Sequence, residues 1–164
     1  MKTFIIEAII CCAVFTALVV PLVKAKPLAW IADYPPKIIA RAKELGLISE
    51  IESILTPKVF LRKMLGAVIF GTLLAFITIH FNGATTFIEA FAISYGLWFI
   101  VAWYDAFVID ILWFCHSKKI IIKGTEDMVD EYHNYWFHIK MSCVGSLIGL
   151  PVALIAGLIV MFIK

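Results

Sequence analysis

Asp105, Asp110, His116 and His138 are the residues of this sequence with the most chemistry open to them. Carboxylates and imidazoles gathered at one place can trade protons as general acid and base or hold a divalent metal. On ideal α-helical geometry Asp105 and His116 share one face, and Asp110 lies about 140° round from Asp105, near Trp103 and Phe114. Asp127, Glu131, Asn134 and His138 recur at helical spacing and predict one polar stripe, continuing into Ser142, Gly145 and Gly149. If that stripe packs on the helix carrying the aspartates, Asp105 or Asp110 meets His138. The catalytic candidates are therefore Asp105, Asp110 and His138. The weaker metal candidates are Asp110, His116, Glu131 and His138, and Asp130-x-x-His133 has similar ligand-like spacing. Two plainer readings stand beside these. The stripe can be a solvated helix face, and each aspartate can be a structural ion pair with Lys118, Lys140 or His138.

The elements that must position these groups are set by composition. The chain is 63% apolar and 16% charged, with a mean hydropathy of +0.99, far from the soluble average of about a quarter charged. Four blocks reach the length of about 20 apolar residues that a spanning helix needs: 3–23, 64–81, 87–114 and 141–163. Too little chain remains for a separate soluble core. The expected fold is all-α, one integral membrane domain over 1–164, a bundle of four transmembrane helices with amphipathic cytoplasmic helices.

The basic residues are sorted. Connector 24–63 holds Lys24, Lys26, Lys37, Arg41, Lys43, Lys58, Arg62 and Lys63, and connector 115–140 holds Lys118, Lys119, Lys123 and Lys140. Only Lys2 and Lys164 lie elsewhere. The positive-inside rule then predicts a multi-pass protein of a plasma or inner membrane, with both connectors cytoplasmic and both termini outside. Anionic lipid headgroups are expected partners of the cytoplasmic face. The first block is read as a span rather than a cleaved signal peptide, because its apolar run exceeds the roughly 7–15 residues usual there.

The connectors carry helix signals. Pro36 suits a helix start and Gly46 its end, with Ile38, Ile39, Ala42 and Leu45 on one apolar face. That face could lie in the headgroup layer or pack on the bundle. Ser49-x-x-Glu52 fits a capping box for a second short helix, and Thr56-Pro57 starts the helix entering the second span. Lys118–Lys123 reads as extended, Gly124 as a turn, and Thr125 as the start of a helix running on into the fourth span. Gly145, Gly149, Ala153 and Gly157 form a small-residue stripe in that span, echoed by Ala67, Gly71 and Ala75 in the second. Such stripes let helix backbones approach closely in lipid, within one bundle or between copies. Pro151 should kink the fourth helix.

Glu7, His80 and Glu89 fall near the opposite, outer boundary, with Glu89 about 24 Å along the axis from Asp105. His80 reads as a turn residue. Trp98, Trp103, Tyr104, Trp113, Tyr132, Tyr135 and Trp136 read as an interfacial belt, and the four cysteines as packing residues without metal-like spacing. No phosphate-binding loop, dinucleotide glycine motif, nucleophile elbow or zincin motif occurs, and membrane-hugging basic residues do not indicate nucleic acid. No cofactor is expected, a divalent metal being the one option. The expected function is a non-enzymatic partner subunit or lipid-associated scaffold, with a homo-oligomer or another membrane protein as partner. The alternatives are a membrane-embedded enzyme acting on a lipid or prenyl headgroup, and a small transporter.

Overall fold

The computed structural model describes residues 2–49 and 56–164. It is 83% helix, with no strand among the described residues. Its helices are α1 (Lys2–Ala25), α2 (Pro36–Glu44), α3 (Pro57–Asn82), α4 (Phe87–Tyr104), α5 (Val129–Tyr132) and α6 (Tyr135–Ile163). A π-helical segment, Asp105–Phe114, follows α4. Four helical stretches are long and apolar enough to cross a membrane: Lys2–Ala25, Pro57–Asn82, Phe87–Phe114 and Val129–Ile163. Pro151 sits inside α6 without ending it. The second short helix expected after Ser49 falls outside the described residues.

The described chain divides into two compact units, each with its own core. One comprises residues 2–11, 56–102 and 143–164. Small residues dominate its centre: Ala75, Ala90 and Ala156 are buried beside Leu74, Leu97 and Val160. A Cβ placed on Gly71 would lie 2.7 Å from Ile155 Cγ2, and one on Gly157 would lie 2.8 Å from the Phe87 ring. A Cβ on Gly149 would lie 2.2 Å from Trp98 Cδ1, whereas Gly145 faces open space. Ala153 is fully buried and Ala67 partly so. The two polar groups at the other end of this unit have structural partners. Glu89 accepts the Thr86 N–H at 3.2 Å while Thr86 Oγ1 accepts the Glu89 N–H at 3.3 Å. This is a capping box that satisfies the free amides of α4, and it went unrecognised in the sequence. Glu7 accepts both hydrogen bonds from Asn82 Nδ2, each at 2.9 Å. His80 belongs to the last turn of α3 rather than to a turn, its ring 4.3 Å from Phe76, and Gly83 (φ 66°) ends that helix.

The other unit comprises residues 12–49 and 103–142. Its centre is Tyr34, Ile38, Ala42 and Ile120, each 0% exposed. α2 ends where expected: Gly46 adopts φ 68°, its N–H bonds to the Lys43 carbonyl, and the Leu47 N–H bonds to the Ala42 carbonyl. That pair of bonds is a Schellman cap. The apolar face of α2 is consumed by the protein's own core, so Ile38 and Ala42 are not presented to a headgroup layer. Leu45 covers Gly124, whose φ of 89° makes the turn.

Two further expectations are corrected in this unit. Lys118–Ile120 is a 3-10 turn and only Ile121 onward is extended. Thr125 starts no helix: its hydroxyl donates to the Ile122 carbonyl at 2.8 Å and lies 2.7 Å from the Tyr132 hydroxyl. That short local bond competes with helix initiation, and α5 begins only at Val129.

Tyr34 ties the unit together. Its hydroxyl donates to the Ile120 carbonyl at 2.9 Å, and its ring meets Phe114 edge-on at 4.8 Å. Burial above all, then Tyr132 and Asp33 nearby, raises its pKa, so the hydroxyl stays a donor. Tyr34→Phe is expected to lower stability by about 1–3 kcal/mol, because the Ile120 carbonyl is left buried without its donor. Thermal unfolding against a Tyr95→Phe control, whose ring is only half-buried, reads the difference.

Candidate functional site

The candidate site is built by the π-helical segment and the first turn of α6, both in the second unit. Asp105–Phe114 is wound as a π-helix, the form whose N–H groups bond to carbonyls five residues back, and the Cys115 N–H bonds in this way to the Asp110 carbonyl at 2.9 Å. Such a turn holds more residues than an α turn. Residues five apart therefore come close to one face, where α geometry would set them far apart. Asp105 and Asp110 are such a pair, and Asp105 lies within electrostatic range of both Asp110 and Asp33. The expected separation of about 140° on ideal α geometry is thereby corrected.

His138 completes the group. Its Nδ1 is 3.0 Å from Asp110 Oδ2; the imidazole is 2% exposed and the Asp110 side chain 24%. Phe114 and Phe137 pack edge-on to the imidazole, at 5.5 and 5.2 Å. The carboxylate on Nδ1 makes that nitrogen the proton donor, which leaves the lone pair of a neutral ring on Nε2. Nε2 is buried and has no hydrogen-bond partner among the described residues. Asp105 Oδ1 is likewise buried without one. Buried polar atoms are nearly always paired, so two orphans in one cluster call for a reason.

No protein-family model, curated protein or solved structure matches this chain.

The remaining candidates are dispersed. The polar stripe does not form, because α5 ends at Tyr132 and α6 starts only at Tyr135. Asn134 is the break: its Oδ1 accepts the Phe137 N–H at 3.1 Å, the act of a helix cap rather than of a stripe member. Asp127 is exposed. Glu131 is ion-paired with Lys37. His116 lies beyond the end of the π-helical segment and shares no helix face with Asp105. Its Nδ1 meets the Ile111 carbonyl at 3.0 Å and its ring lies 5.2 Å from His133. The proposed metal candidates Asp110, His116, Glu131 and His138 thus do not make one ligand set. Among the described residues no three His, Cys, Asp or Glu side chains are grouped to hold a metal. Asp33 is the neighbour that sequence reasoning missed, since nothing in its local pattern ties it to Asp105.

Proposed function

We propose that this is a four-span membrane protein whose working part is the Asp105–Asp110–His138 centre, a membrane-embedded acid–base site acting on a lipid or prenyl headgroup. The charge asymmetry of the connectors supports placing that centre at the cytoplasmic boundary, with both termini outside. The observation that carries the reading is the 3.0 Å contact between Asp110 and His138, with Nε2 left unpartnered. A carboxylate that fixes the tautomer of an imidazole prepares the other ring nitrogen to take or give a proton. Asp105, drawn alongside by the π-helical turn, supplies a second proton-holding group. The chemistry needs no metal, and a divalent metal would need ligands beyond this pair.

A second reading is favoured by one observation, the 2% exposure of His138. In a non-catalytic partner subunit or scaffold, the Asp110–His138 pair pins α6 to the π-helical segment and no substrate has to reach the ring. Lipid analysis of membranes from cells making the protein distinguishes the two. The enzyme reading expects a modified headgroup species that appears with the wild type and disappears with His138→Gln. An identical lipid profile for wild type and variant would leave the partner-subunit reading standing.

A further inference from the structure

Three side chains outside the Asp105–Asp110–His138 centre come together within the second unit. His116 follows the π-helical segment, His133 closes α5 and Tyr135 opens α6. The His116 and His133 ring centres are 5.2 Å apart, and the Tyr135 ring lies 6.1 Å from the first and 6.3 Å from the second. His116 Nδ1 stands 3.0 Å from the Ile111 carbonyl. A carbonyl only accepts, so Nδ1 carries the proton and Nε2 of the neutral ring carries the lone pair. The Tyr135 hydroxyl is 3.4 Å from that Nε2. His116 and Tyr135 are exposed and His133 half-buried, so solutes reach the group.

We propose that His116, His133 and Tyr135 form a binding site for one divalent transition-metal ion, zinc fitting it best. A backbone carbonyl on Nδ1 is the support that metal-ligating histidines ordinarily have, because it fixes the tautomer and aims Nε2. The 3.4 Å separation of Nε2 and the Tyr135 oxygen exceeds the roughly 2.7–3.2 Å of a good hydrogen bond. It matches the roughly 3.3–3.4 Å between two donors that each lie about 2.0–2.1 Å from a tetrahedral ion. Two imidazoles on such an ion have ring centres about 5 Å apart, as His116 and His133 have. Among the described residues no carboxylate joins the two histidines, so the ligand set is two ring nitrogens, the Tyr135 oxygen and a water. Ligation by Tyr135 releases its hydroxyl proton to solvent. Imidazole donors favour zinc, copper and nickel over magnesium and calcium, which take oxygen shells. The bound ion ties the chain after the π-helical segment to the junction of α5 and α6.

The test is titration of the full chain with zinc in detergent, free of any affinity tag, read by calorimetry and by thermal unfolding. One zinc per chain is expected, with an unfolding midpoint that rises with zinc concentration, as for any ligand of the folded state, and that magnesium does not move. Cobalt in place of zinc should give the visible absorption of a tetrahedral site. His116→Gln and His133→Gln should each weaken binding by more than about tenfold, since losing even an outer-shell partner costs about 10–100-fold. Tyr135→Phe should weaken it several-fold. His80→Gln, at an exposed histidine of the other unit, should change nothing. No zinc binding by the wild type, full affinity in His133→Gln, or an equal loss in His80→Gln would overturn the site. Loss of zinc in His138→Gln with full affinity in His116→Gln would assign the metal to the acid–base centre and equally overturn it. Unchanged helical content by circular dichroism separates these losses from misfolding.

Discussion

Asp110→Asn is expected to leave the protein folded with close to its full stability while removing about two to four orders of magnitude of any headgroup turnover. Asparagine keeps the shape of aspartate and offers Oδ1 to the His138 Nδ1 proton, so the 3.0 Å contact survives. What it lacks is the negative charge that stabilises a protonated imidazole. If His138 takes a proton during a reaction, that charge matters at the transition state, and general acid–base effects of this kind are worth roughly 10²–10⁴ in rate. If the pair only holds two segments together, a neutral hydrogen bond does nearly as well. Stability and turnover measured on one variant therefore read the two roles separately. A fall of several kcal/mol in unfolding free energy on Asp110→Asn would show that charge pairing is structural and would remove the acid–base reading.

The same geometry orders the more drastic variants. Asp110 has 24% of its side chain exposed and His138 only 2%. Truncating Asp110 removes the partner of a buried Nδ1, at a desolvation cost of about 1–3 kcal/mol. Removing the imidazole leaves a carboxylate that can turn to solvent.

What the sequence made legible, and what it hid, follows from how local each determinant is. Four apolar blocks, Pro36 and Gly46 around α2, and the turn at Gly124 act over a few residues, and the structure places them as read. The pairing of Asp110 with His138 was among the contacts expected from placing both near one boundary. The reason it forms was not legible. No residue between Asp105 and Phe114 is a glycine or proline that would announce a change of helical pitch, yet the π-helical turn redraws every face in that stretch. The stripe from Asp127 to His138 failed for a local reason that spacing cannot see: Asn134 spends its side chain on the Phe137 amide. Thr125 likewise serves Ile122 and Tyr132 instead of a helix start. Polar residues able to bond their own backbone have two uses, and periodicity alone does not choose between them.

Small residues of one stripe give the second large effect, and they carry their own control. Gly149→Ala is expected to destabilise the protein by about 2–4 kcal/mol, whereas Gly145→Ala, one helical turn away, should be neutral or stabilising. The Cβ added at 149 would lie 2.2 Å from Trp98 Cδ1 and 2.7 Å from Nε1. Trp98 cannot yield freely, since its Nε1 donates to the Gly145 carbonyl at 2.9 Å and its ring lies edge-on to Phe70 at 6.2 Å. Overpacking costs typically about 1–3 kcal/mol, and losing the indole hydrogen bond adds about 0.5–1.5 kcal/mol. At Gly145 nothing lies within 4 Å of the added methyl, so the ordinary helical advantage of alanine over glycine, about 0.5–1 kcal/mol, is left to act. Thermal or denaturant unfolding of the two variants in the same detergent measures the contrast. Combining Gly149→Ala with Trp98→Leu removes the clash, and the pair should recover part of the loss, a coupling of about 0.5–3 kcal/mol as expected for residues in contact. Equal effects at 145 and 149 would mean that the stripe acts through helix propensity alone and that Trp98 does not rest on Gly149.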